Sequence, residues 1–327
     1  MLNKEMLAFD LGTYCTKVVL GKARKSQIVV KDAFVFPTPM GTVEDGQIIN
    51  LPSLKEEILK KLDEKDIYTN KAVFTLASTK VITRELILPY VSEKKMAAMV
   101  PYELPKHLPI TVDNYVIKHL TLDVFTEEKS KKSRVLVIAL PKVIVRKYLD
   151  LCTELEIEPI ALTVHGIGAA GFFRQKSLIS GQMETVALID LGHSGINCNI
   201  ISEGKLIFNR IISTVGMKVS LDKLAKMNID FSSTHYDKSL KEMVAKWLEE
   251  IKMVFRFYYS LENNKKIDQI MLIGGASNIP NITSSFEEKL DTPTIILRDN
   301  IRINYKGNDE GFSLNQYFNA VSALSLN

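Results

Sequence analysis

The chain has 327 residues, 46% hydrophobic and 24% charged, with a formal net charge of +4. That length is generous for one core and comfortable for two domains, and the interspersed Lys, Asp and Glu argue against a dedicated nucleic-acid surface. The three cysteines, Cys15, Cys152 and Cys198, are far apart and odd in number, so they read as reduced thiols and not as a disulfide framework. The opening residues lack the basic stretch, apolar core and cleavage site of a secretory signal, and no run approaches the ~20 apolar residues that cross a bilayer. Work at a membrane is therefore expected to require recruitment by a partner.

In chain order, strands are expected over 7–10, 16–20 and 28–36, with Gly12 and the 21–25 stretch supplying the turns. A helix over 53–62 follows, with Ser53 as N-cap behind Pro52 and Glu56 completing a capping box. Residues 71–88 alternate around AVFTL and VITRELIL, the pattern of half-buried strands. Pro89 marks a change, after which SEKKMAAMVPYELPKHLP (92–109) reads as a helix with a proline-broken continuation. Two strands, 114–125 and 134–140, flank the charged loop TEEKSKKS (126–133). A helix over 142–155 and a strand over 159–164 complete a compact α/β insert. From residue 184 the opening pattern returns, with strands over 185–189, 196–201 and 205–212. Helices over 219–227 and 239–259 lead to a short strand at 270–273, and a final helix spans 312–326. Strands and helices interleaved in this way predict an α/β fold.

Asp-Leu-Gly occurs twice, in MLAFDLGTYCTK (6–17) and VALIDLGHSG (186–195), each time where an apolar run ends. The repetition points to two related halves facing each other across a cleft. In each turn a carboxylate and a glycine leave a strand together, so backbone amides can approach phosphate oxygens and the carboxylate can hold Mg²⁺ through water. The candidates are Asp10, Gly12 and Thr13 in the first turn and Asp190, Gly192 and Ser194 in the second. An ordinary glycine hairpin is the alternative for either turn taken alone. Lys17 begins the next strand and can reach back to neutralise phosphate charge. A third glycine turn, IMLIGGASNIP (270–280), brings Gly274, Gly275 and Ala276, where backbone can pack flat against a planar ring such as adenine. On the helix WLEEIKMVFRFYY (247–259), Glu250 and Lys252 can touch a ribose or base, or remain solvated helix charges.

GIGAAG (166–171) is a literal G-x-G-x-x-G with Asp190 roughly 20 residues later, the spacing of a dinucleotide site. That reading leaves the Asp10 and Gly274–Gly275 turns idle, so the glycines are expected instead to let a helix pack closely beneath the cleft. His165 starts that helix and is expected half-buried with a local hydrogen bond, the alternative being to orient an attacking water. The five histidines show no metal-ligand spacing. Neither G-x-x-x-x-G-K-[ST] nor G-x-S-x-G occurs, which removes P-loop and α/β-hydrolase readings.

In their order, the three turns resemble those of the actin-like ATPase superfamily. Within it the chain resembles the PilM family of type IV pilus assembly proteins, relatives of the division protein FtsA. TRELILP (83–89), YELPKHLPITVDNYVI (102–117), EIKMVFRFYY (250–259) and NQYFNAVSAL (315–324) carry this likeness over nearly the whole length. The resemblance implies a two-lobed α/β fold: a first lobe from 1–89 with 164–183 and 306–327, an inserted subdomain over 90–163, and a second lobe over 184–305 whose outer part is 219–249. It implies ATP and Mg²⁺ between the lobes, with Thr13 and Lys17 on the β- and γ-phosphates, Asp10 and Asp190 on the metal through water, and Gly274 and Gly275 as the adenosine wall. It also implies a partner, the cytoplasmic N-terminal peptide of a PilN-type membrane protein, in a groove between the first lobe and the insert. A PilO-type protein and the pilus extension ATPase are implied as indirect partners, with the chain cytoplasmic at the inner face of the membrane.

An FtsA-like division or filament ATPase is the alternative reading, and a small-molecule kinase of the same superfamily is the third. The former predicts a basic amphipathic terminal helix, whereas no Lys or Arg follows Lys306. The latter predicts a general-base Asp motif, which is not found. His193 in the second turn, Tyr14 and Cys15 in the first, and His165 where the family often has an acidic residue depart from the family pattern. They imply ATP binding with weak or no hydrolysis, and no residue is assigned as catalytic base.

Overall fold

The computed structural model describes residues 5–24, 27–175, 185–213, 238–261, 266–298, 303–307 and 312–326. β1 (Met6–Leu11) is buried along its whole length because it is the middle of a sheet covered on both faces. It runs antiparallel to β2 (Cys15–Arg24), which pairs with β3 (Gln27–Pro37). A small hairpin of β4 (Val43–Glu44) and β5 (Gln47–Ile48) leads to α1 (Leu51–Glu64), and β6 (Lys71–Leu76) returns parallel to β1. Next come β7 (Ile82–Pro89), α2 (Glu93–His107), β8 (Tyr115–Glu127), β9 (Ser130–Pro141), α3 (Lys142–Glu154), β10 (Glu158–Val164) and α4 (His165–Arg174). The second half repeats the meander with β11 (Thr185–Leu191), β12 (Gly195–Ser202) and β13 (Lys205–Ser213). α5 (Lys238–Leu261), β14 (Gln269–Ile273), α6 (Ile282–Leu290), β15 (Thr294–Ile296), β16 (Ile303–Tyr305) and α7 (Leu314–Ala323) complete the order.

The two large sheets have matching topologies. The first runs β10-β6-β1-β2-β3-β16 and the second β15-β14-β11-β12-β13, so each is a three-strand meander extended by parallel strands. α4 and α7 form a middle layer between them. Ala8 and Val73 of the first sheet, Val186, Leu188 and Met271 of the second, and Phe172 and Phe318 of the two helices share one apolar cluster. Leu7, Phe9 and Leu11 point the other way, into a cluster with α1 and α3. Ala187, Ile189 and Leu191 likewise point outward, onto α5 and α6. The period-2 alternation of strands thus gives each central strand two apolar faces, and the C-terminal ends of β1 and β11 meet across the middle layer.

Local chemistry accounts for several differences from the sequence expectations. α1 starts earlier than expected: Asn50, not Ser53, is the N-cap, its side chain accepting from Ser53 N at 3.2 Å, and Pro52 lies in the first turn where its missing N–H costs nothing. β6 is buried from Ala72 to Leu76 and is not half-buried, because helices cover both of its faces. α2 runs unbroken through Pro101 and Pro105. Met96, Val100 and Leu104 hold it by one stripe against Leu86, Leu88, Val135 and Val137, and it stops at Leu108, the residue before Pro109, in extended conformation. The expected charged loop 126–133 is mostly strand. Glu127 pairs with Ser130 around Glu128 and Lys129, both in the left-handed region at φ 48 and 66, as a two-residue type I′ turn requires.

Sheet membership also redraws the insert expected over 90–163. β7 lies before residue 90 but joins β9 and β8 in the separate three-stranded sheet, whereas β10 lies within 90–163 except for its last residue, Val164, but pairs in parallel with β6 in the first sheet. The helix expected over 219–227 lies outside the described residues.

Candidate functional site

Between the two large sheets lies a cavity of about 610 Å³, lined by both Asp-Leu-Gly turns, Lys17, His165, Gly275, Ala276 and Asn319. Of the expected residues, Asp10, Gly12, Thr13, Lys17, Asp190, Gly192, Ser194, Gly275 and Ala276 all line it. Strand register brings them together. Asp10 is the fifth residue of β1 and sits opposite Lys17 of β2 in the antiparallel ladder, where Lys17 Nζ lies 3.5 Å from Asp10 Oδ2. Asp190, like Asp10, is the next-to-last residue of its strand, β11, and sits opposite Asn197.

Each turn is tight for a stated reason. A Cβ on Gly12 would lie 2.6 Å from the Cys15 carbonyl oxygen, so the close approach of backbone to backbone requires glycine there. Thr38 secures this turn by donating from Oγ1 to the Gly12 carbonyl at 2.7 Å and from its backbone N–H to Tyr14 O at 3.0 Å. In the second turn Gly192 N donates to Gly195 O at 3.1 Å. Gly274 has φ +87 and lies against Leu191, so that the third turn closes over the end of β11. Its N–H donates to Asn315 O at 2.8 Å, at the start of α7. The tips of the first two turns touch: Ser194 Oγ donates to Thr13 Oγ1 at 3.0 Å, and the Tyr14 and His193 rings stack at 4.7 Å.

His165 departs furthest from expectation. It is buried, and instead of a local bond it bridges the halves, with Nε2 3.2 Å from Asp10 Oδ1 and Nδ1 3.5 Å from Asp190 Oδ2. Asn319 of α7 adds a hydrogen bond from Nδ2 to Asp190 Oδ2 at 2.7 Å. Burial by itself would lower the His165 pKa, but the two carboxylates outweigh it and push it up to about 9, which leaves an imidazolium at neutral pH. Burial would likewise raise Asp10, yet Lys17 and His165 hold its carboxyl well below the usual range. Lys17, for which burial works toward the neutral amine, is held above its ordinary value by Asp10.

This arrangement does not fit the Mg²⁺ ion expected between Asp10 and Asp190. An imidazole already stands between the two carboxylates, and Lys17 faces Asp10 from the other side. Two carboxylates against two cations leave none of the surplus negative charge that holds a divalent ion. Among the described residues no cluster of three or more His, Cys, Asp or Glu is suited to a metal.

Of the two readings open for Glu250, the structure favours the solvated helix charge over the ligand contact. Glu250 lines a different cavity of about 820 Å³, between Thr83–Glu85, β13 and the face of α5 carrying Met253 and Phe257, and Lys252 lines neither cavity. The GIGAAG glycines serve packing, as expected. Gly166 lies against Asn199 and Leu206, and Gly168 and Gly171 against Ser322 and Ser325, so that α4 approaches the second sheet and the C-terminal segment closely. Sequence reasoning missed Asn319. Its signal was the polar series Asn315, Asn319 and Ser322, which recurs at helical spacing within an α7 that is buried except at Gln316.

Paired meander sheets, two middle-layer helices and Asp-Leu-Gly turns meeting across a cleft define the actin-like ATPase fold. Solved structures bear this out. The ethanolamine utilization protein EutJ from Carboxydothermus hydrogenoformans aligns at TM-score 0.55 with 11% identity, over 100% of this chain and 90% of its own. An actin-like ATPase-fold protein of unknown function from Bacteroides thetaiotaomicron aligns at 0.54 with 11% identity, over 99% and 96%. A chain of the PilM–PilN type IV pilus biogenesis complex aligns at TM-score 0.83 with 18% identity, over 99% of this chain and 98% of that one. The family model of the type IV pilus assembly protein PilM matches residues 8–320, and the chain belongs to that family. Among the described residues no helix is long and apolar enough to cross a membrane.

Proposed function

We propose that the chain is a nucleotide-binding scaffold of the type IV pilus assembly platform, recruited to the inner face of the membrane by the N-terminal peptide of a PilN-type protein. The observation that carries the reading is the family match over residues 8–320, joined to an end-to-end likeness to a chain of a PilM–PilN complex. The peptide seats in the groove between the first lobe and the insert, and contact with a PilO-type protein and the extension ATPase follows through that partner. ATP is the ligand proposed for the cleft: Gly12, Thr13, Gly192 and Ser194 face the phosphates, Lys17 supplies charge, and Gly274, Gly275 and Ala276 form the base wall. Hydrolysis is weak or absent, because Asp10, Lys17, His165 and Asp190, which line the cavity, are tied to one another.

Titration of the full chain with a synthetic PilN-type N-terminal peptide, with and without ATP, tests the scaffold reading. Peptide binding is expected, and its absence in both states would overturn the reading, while turnover of a small phosphate acceptor would favour a kinase. The cleft has its own test. Gly275 lines the cavity and a Cβ there meets nothing within 4 Å, so Gly275→Val should leave thermal stability nearly unchanged while cutting ATP affinity about tenfold or more by filling the base site. Unchanged affinity in a folded Gly275→Val protein would remove ATP from this cleft.

A further inference from the structure

We infer that the His165 ring, and not a divalent cation held by the protein, fills the gap between Asp10 and Asp190, so that a phosphate ligand enters this cleft without a metal ion on those carboxylates. The inference rests on the proposed reading of the cleft as a phosphate site, but the geometry behind it stands apart from any nucleotide. The two ring nitrogens of His165 face one carboxylate each, at 3.2 and 3.5 Å, from opposite sides. Lys17 takes the other oxygen of Asp10, Oδ2, at 3.5 Å, and Asn319 donates at 2.7 Å to the same Asp190 Oδ2 that His165 faces. The imidazole belongs to a residue whose backbone is held in place. It is the first residue of α4, and the next residue, Gly166, lies so close to Asn199 and Leu206 that even a Cβ there would collide. A hydrated ion between these carboxylates would therefore have to displace the ring from its place between them.

This places a fixed side chain where a phosphate-binding cleft would otherwise recruit a mobile inorganic ion. The ligand phosphates then meet Lys17 and the backbone amides of the two turns, and any magnesium travels on the phosphates themselves.

Mn²⁺ titration of the full chain without nucleotide, followed by electron paramagnetic resonance, tests the claim with the metal alone. The wild type should show no site tighter than about millimolar, whereas His165→Asn, which leaves two carboxylates facing one lysine, should gain a site at least about tenfold tighter. A tight wild-type site abolished by Asp10→Asn would overturn the inference, as would no gain in a His165→Asn protein shown to be folded by circular dichroism. A second measurement uses the wild type only. ATP affinity should change less than about threefold between excess Mg²⁺ and EDTA, and a loss of about tenfold or more in EDTA would overturn the inference. Failure of ATP to bind in either condition would remove the nucleotide reading, and the Mn²⁺ arm would still decide the role of His165.

Discussion

The two Asp-Leu-Gly turns share a backbone and differ in charge. Both aspartates sit at one ladder position, but Asp10 faces Lys17 across the strand pair where Asp190 faces Asn197. The first half answers its buried carboxylate with ions, Lys17 and His165. The second answers with an amide as well: Asn319 donates to Asp190 at 2.7 Å. The starts of the middle-layer helices differ in the same sense, since α4 opens on His165 and α7 opens beside Asn315, whose amide grips Ser277 at 2.7 Å. A repeated fold is thus specialised at its cross-strand and helix-start positions while the turns themselves are kept. The cleft carries its fixed positive charge on one side.

The largest expected effect probes that asymmetry. Asp10→Ala strands Lys17 and His165 as buried cations without their main partner, which should cost about 3–5 kcal/mol of stability. Asp190→Ala removes the amide-bound partner and leaves Asp10 to hold His165, so about 1–3 kcal/mol is expected. Urea unfolding of both variants at neutral pH reads the difference. Equal losses would show that the two carboxylates are equivalent and that the charge is shared.

The turns differ sterically too. Gly12→Ala drives a methyl against the Cys15 carbonyl at 2.6 Å, whereas at Gly192 the nearest atom, Gly195 O, is 3.3 Å away. Gly12→Ala should cost about 1–3 kcal/mol and Gly192→Ala under about 1 kcal/mol. If thermal unfolding ranks them the other way, the first turn is the more compliant one.

What the sequence made legible follows from how local each signal is. The doubled Asp-Leu-Gly and the Gly274–Gly275 turn are contiguous, and strand register then fixed the Asp10–Lys17 pair from residues seven apart. His165 was misread as a locally bonded histidine because its partners are 155 residues upstream and 25 downstream, and nothing in its neighbourhood shows them. Glu250 was assigned to the ligand from its place in a motif, but an exposed carboxylate on a long helix fixes no direction, and α5 turns it to another cavity. β7 and β10 were misplaced relative to the insert because pairing partners are a tertiary choice: VITRELIL reads equally well as a strand of either sheet, and β9 takes it.

The ionic half also predicts a pH dependence. The pKa of His165 rises on folding from 6.5 to about 9, so its contribution to stability is whole below pH 6.5 and fades as the pH climbs through about 9. Asp10 has the opposite sign: its depressed value gives stability that is present above 3.8 and lost only in strong acid. Thermal unfolding of the wild type should therefore weaken between pH 6.5 and 9 more than that of His165→Asn. Parallel curves would mean that the bridging ring is neutral when folded.

The smallest expected effect tests whether the turns act on each other at their tips. The Tyr14 ring stacks on His193 with planes 20° apart, and the neighbouring Ser194 and Thr13 hydroxyls bond at 3.0 Å. Tyr14 is about half exposed, so water competes for the stack and its coupling should fall near the low end for aromatic pairs, about 0.5 kcal/mol. A double-mutant cycle of Tyr14→Ala and His193→Ala isolates that term from what each residue contributes to its own turn. Coupling at this level without ligand means that the halves meet at their tips through protein contacts alone. Coupling that emerges after ATP is added would instead assign the closing of the tips to the nucleotide. Zero coupling in both states would leave the Ser194–Thr13 bond and, deeper in the cleft, the Asp10–His165–Asp190 bridge as the connections between the two turns.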